Sequence, residues 1–126
     1  MGIPVCLFSC MRRVQLFSAI EQLEEMGFTV IDIITLGGIV RPLAEAAQTF
    51  DRSVLIREYQ HSAQVSKENG AEATVTIAHA DCKGHPVPEE KGRIHLRYAE
   101  QTIHSFKLGI PNLLFWQKED NSLEQL

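Results

Sequence analysis

The chain has 126 residues, enough for one domain with a sizeable core and too few for two of ordinary size. A formal charge of −4 and a pI near 5.7, with no basic cluster larger than Arg12-Arg13, argue against a nucleic-acid or anionic-membrane partner. No apolar run approaches the roughly 20 residues that span a bilayer, and three cysteines without a secretion signal suit reduced thiols in a cytoplasm.

The opening stretch MGIPVCLFSC lacks a basic n-region and a small-residue cleavage site, so it is expected to remain as a core strand over residues 3–8. Cys6 stands where a myristoylation signal after Gly2 would need Ser or Thr. From residue 13 to 26 the period becomes helical: Leu16, Ile20 and Leu23 share a stripe, Phe17 and Met26 flank it, and Gly27 supplies the stop. Residues 28–34 form the second expected strand, interrupted by Asp32, which is expected near a strand end and bonded to a loop. Gly37-Gly38 breaks the chain, and Pro42 suits the first turn of a helix carrying Leu43, Ala46, Ala47 and Phe50. Asp51 or Ser53 could cap the next helix, with Leu55, Tyr59, Ala63 and Ser66 on one face and Asn69-Gly70 at its end.

A β-branched third strand over residues 73–77 leads into IAHADCKGHP. Pro86 and Pro88 delay a helix whose start favours Glu89-Glu90 and whose expected inner face is Ile94, Tyr98, Ile103 and Phe106. NLLFW, residues 112–116, is the fourth strand and closes a single domain of residues 1–116. Residues 117–126 are expected to be a polar tail, mobile or lying as an arm on a partner. Alternating strands and helices imply right-handed crossovers: a three-layer α/β fold with a mostly parallel four-stranded sheet of order 2-1-3-4 and helices on both faces.

In that order the first and third strands are neighbours, and ligands of open α/β sheets bind where the chain reverses direction between two such strands. Cys10 ends the first strand, and His79 and Cys82 leave the third. Together they would make a Cys2His zinc set with an open fourth position, the layout of a catalytic zinc site. Cys6, inside the first strand, reads as core. Asp81 could orient an imidazole or simply serve the turn, and His85 could shuttle protons or be an exposed loop histidine. Arg12-Arg13 could bind a small anion, or be solvated at a helix start. His95 and His104 are nine apart on one helix, hence on opposite faces, and His61 has no evident partner.

These residues resemble the β-class carbonic anhydrases, and more closely a short carbonic-anhydrase-like branch of that class. The family pattern is C-x-D-x-R after the first strand and H-x-x-C after the third. His79-Ala80-Asp81-Cys82 with the Gly84-x-Pro86 turn meets the second motif, and Asp32-Ile33-Ile34-Thr35 before Gly37-Gly38 resembles the exit of the second strand. The resemblance implies zinc on Cys10, His79 and Cys82, reversible hydration of carbon dioxide to bicarbonate through zinc-bound hydroxide, and a homodimer. Arg13, or Arg12 beside it, would stand for the family arginine. The departure is Cys10-Met11-Arg12-Arg13, which lacks the aspartate and is one residue short; arginine has no acceptor to replace it. Weak activity is one expectation. The alternative is a non-catalytic, zinc-stabilised binding or regulatory module on the same fold.

Overall fold

The computed structural model describes residues 2–49 and 53–126, so Phe50 and Asp51 of the readings above lie outside it. The elements run β1 (Ile3–Ser9), α1 (Arg13–Glu25), β2 (Phe28–Thr35), α2 (Val40–Thr49), α3 (Val54–Glu68), β3 (Ala73–His79), α4 (Glu89–Ser105), β4 (Asn112–Gln117) and β5 (Leu123–Gln125). They build one sheet of order β2-β1-β3-β4-β5, in which every pairing is parallel except β4 with β5. The expected order 2-1-3-4 is present, but the sheet has five strands, not four.

The added strand comes from the segment read as a polar tail. Lys118 and Ser122 close a turn by a 2.9 Å backbone bond, and the chain returns to pair along β4. Gln22 of α1 holds the return, its side chain donating to the Asn121 carbonyl at 2.5 Å and accepting from the Leu123 N–H at 2.9 Å. The edge of β4 from Leu114 onward is therefore covered by the chain itself.

Two apolar layers flank the sheet. Leu7, Val75 and Ile77 pack with Ala19 and Leu23 of α1 on one face; Phe8, Ala78 and Trp116 face α2, α3 and α4 on the other. β3 is buried along its whole length, as a central parallel strand must be when helices lie on both sides. Ser53 caps α3 by accepting the Ile56 N–H, and Glu89 and Glu90 occupy the first turn of α4, both as the sequence suggests.

Two inner faces differ from expectation. α3 buries Ile56, Tyr59, Ala63 and Ser66, while Leu55 is exposed. α4 buries Gly92, Leu96, Ala99, Thr102 and Ile103 and leaves Ile94 in solvent. Small residues carry the close approach of α4, so a stripe chosen for bulk missed it. Asp32 also differs. A register shift between Val5 and Cys6 places it opposite Cys6 in mid-strand, and its Oδ2 is buried without a hydrogen-bond partner. No helix among the described residues is long and apolar enough to cross a membrane.

Candidate metal centre

Cys10 follows the last residue of β1, and His79 is the last residue of β3, so two neighbouring parallel strands deliver their side chains to the same end of the sheet. Cys82 arrives from the turn after β3, where Asp81 takes a positive φ of 54°. The three donor atoms lie within 4.8 Å of one another, the one such group among the described residues. All three side chains are buried, at 8%, 7% and 9% exposure. The two sulfurs are 3.9 Å apart. Two thiolates each about 2.3 Å from a tetrahedral zinc would stand about 3.8 Å apart, so the spacing fits that ion.

The surroundings fit a cation as well. His79 Nδ1 faces the Ala80 carbonyl at 2.8 Å, which fixes the ring, and its Nε2 is buried with no hydrogen-bond partner. A carbonyl on one ring nitrogen and an unengaged second nitrogen is the usual state of a metal-binding imidazole. The Cys82 thiol and the His79 ring hold the Cys10 sulfur well below the ordinary thiol range against the opposing effect of burial, and the N–H groups of Gly38 and Arg12 add to this. Cys82 is pushed up, first by its bond to Cys10 and then by burial. Burial draws His79 down, but Cys10 and the Ala80 carbonyl outweigh it and leave the imidazole raised. The pair thus keeps one negative sulfur in place beside donors that a cation would displace.

The loop carrying Cys82 is locked by glycine against glycine. A Cβ at Gly38 would lie 2.4 Å from the backbone of Gly84, and one at Gly84 would lie 2.6 Å from Gly37 and Gly38. Arg41 Nε donates to the Gly84 carbonyl at 3.3 Å across the same seam. Gly38→Ala should therefore lose about 1–3 kcal/mol through clash and its positive φ of 66°, and about 10- to 100-fold in metal affinity. Gly70→Ala is the control: its φ is 113° but its Cβ would meet nothing within 4 Å, so stability should fall with metal affinity intact. Melting curves and metal titrations of both variants check this, and equal affinities would break the link between the seam and the site.

The cluster forms part of the wall of a cavity of about 20 Å³. Ile39, Val40, Ile77, Val87 and Trp116 make most of the remaining wall, and among the described residues no carboxylate lines it. His85 also reaches this wall, and its Nε2 lies 2.7 Å from Nδ1 of His95 on α4. Burial, then the charges of His95 and Arg41, holds His85 below the ordinary histidine range. The His85–His95 pair was not visible in the sequence, because the first lies in a loop and only the tertiary return of α4 joins them.

The remaining predicted residues lie outside the cavity. Arg13 is exposed, with its guanidinium 5.4 Å from the centroid of Phe17. Arg12 and Asp81 line a separate cleft of about 190 Å³, which shares His79 with the metal cluster and also carries Lys118. Cys6 is fully buried and outside the cluster, its thiol pushed up by burial to about 11.

Fold and site together define an α/β protein with a buried cysteine–histidine–cysteine group, able to hold a metal, at the switch point of its sheet. Residues 4–126 match the family described as "Putative carbonic anhydrase", and the chain belongs to that family. No curated protein and no solved structure matches it significantly.

Proposed function

We propose that the chain is a zinc-binding carbonic anhydrase that interconverts carbon dioxide and bicarbonate. The observation that carries this is the buried Cys10–His79–Cys82 group in the wall of a small, mostly apolar cavity. Such a cavity suits a molecule of very few atoms and has no room for a large substrate. Cys10, His79 and Cys82 would hold zinc, which when bound supplies a water of pKa about 7 and a Lewis acid. Arg12 and Lys118, which share the neighbouring cleft with the carboxylates of Asp81 and Glu119, offer cationic groups on the path of the bicarbonate anion toward the cavity. Arg13 would have to leave Phe17 to join them. A homodimer is supported by the family resemblance and by the apolar side chains of Met11, Val14, Phe17, Ile31 and Ile33 left in solvent.

A second reading, a zinc-stabilised module without catalysis, is favoured by one feature: no Asp or Glu among the described residues lines the cavity. Elemental analysis and stopped-flow hydration of carbon dioxide on one purified sample decide between the two. The expected result is about one zinc per chain, as a three-ligand site implies, with hydration above the buffer rate. One zinc without hydration selects the second reading, and no metal removes both.

A further inference from the structure

Trp116 lines the metal cavity, is 2% exposed, and its Nε1 is buried with no acceptor among the described residues. An indole N–H is a donor only, and buried donors are nearly always paired. Ile39, Val40, Ile77 and Val87 of that wall offer no acceptor, and its polar side chains are engaged elsewhere: Cys10 with Cys82, His79 with the Ala80 carbonyl, and His85 with His95. The ring cannot readily turn away to find one. Its six-membered edge faces α4, where a Cβ on Gly92 would lie 2.9 Å from Cη2 and Cζ3, so the five-membered ring carrying Nε1 lies on the opposite side. Arg93 sits 5.4 Å from the ring centroid and is itself clamped to Glu124 of β5 by two bonds of 2.9 and 3.0 Å. A fixed, unpaired donor on a residue of the cavity wall is a group that an acceptor entering the cavity would satisfy.

We infer that Trp116 is a substrate-binding residue whose indole N–H donates to an oxygen of the small oxyanion, bicarbonate, in the cavity beside the metal group. The inference deepens the proposed function and rests on it for the identity of the anion. It also gives β5 a role in the site: the returning C-terminal strand supplies the Glu124 that holds Arg93 over the indole.

The chain has a single tryptophan, so ¹⁵N-labelled protein gives one indole resonance that reports on this bond directly. Titrating zinc-loaded protein with bicarbonate should move that resonance downfield and slow its exchange with solvent. Trp116→Phe should weaken bicarbonate binding by calorimetry roughly ten-fold or more, as loss of a hydrogen bond to a charged group implies, with zinc content unchanged. Three results would overturn the inference: an indole resonance unmoved while calorimetry shows bicarbonate bound, no bicarbonate binding at all, or full affinity in Trp116→Phe. The resonance is read in the unaltered chain, so a variant that fails to fold does not remove the test. The two proposals fail separately. Hydration activity with an unmoved indole leaves the reaction and removes the hydrogen bond. A shifted indole without hydration leaves the hydrogen bond and removes the reaction.

Discussion

Cys82→Ser should abolish stoichiometric zinc binding and lower the melting temperature of protein purified with its metal. Three donors within 4.8 Å supply the whole protein side of the site, and serine offers zinc a far poorer ligand than a thiolate. Because the ion binds the folded chain, its loss removes folding free energy: about 2.7 kcal/mol for metal present at 100 times its dissociation constant, and more for tighter sites. Cys6→Ala supplies the contrast. Cys6 is also fully buried, but it packs between the sheet and the helices on the far side from α1 and has no part in the cluster. That variant should lose core packing while keeping one zinc per chain. Metal analysis and melting with and without a chelator distinguish the two. A chelator that leaves the unaltered protein's melting temperature unchanged would remove the site from consideration.

The order of the strands and the meeting of Cys10, His79 and Cys82 were legible in the sequence because each rests on short-range pattern. β1 is an almost continuous apolar run followed at once by Cys10, β3 is a β-branched run that ends on His79, and parallel pairing does the rest. β5 was not legible for the opposite reason. It is three residues long, two of them polar, and exists because β4 offers a free edge and Gln22 a pair of amide contacts. The inner face of α4 was misread because Gly92 and Ala99 do its packing, and small residues leave no hydrophobic stripe. Asp32 could not be placed without the register shift beside it, which puts a carboxylate in mid-strand opposite a buried thiol. The orphaned Trp116 N–H likewise depends on where α4 and β5 close around the ring.

Rebuilding the segment after Cys10 as a five-residue C-x-D-x-R, with one residue inserted and aspartate restored, should raise carbon dioxide hydration about 10- to 100-fold, the scale on which groups supporting a metal site act. In the native chain only Cys10, Met11 and Arg12 separate β1 from α1, and Met11 is 67% exposed. The connection is therefore too short to fold a side chain back over the cluster, and its most exposed residue has space to accept the change. Among the described residues no other carboxylate lines the cavity. Asp81 is exposed in the adjoining cleft with Arg12, and Asp32 lies in mid-strand on β2, outside the cavity wall. A carboxylate brought to the cavity would accept a hydrogen bond from the metal's water, and arginine cannot, having only donors. Zinc content should not change, because the three ligands come from strand ends and a turn that the insertion leaves in place. A native rate already equal to that of the rebuilt protein would show that the missing acceptor is dispensable. Zinc in both with hydration in neither would establish the chain as a zinc-stabilised module rather than an enzyme.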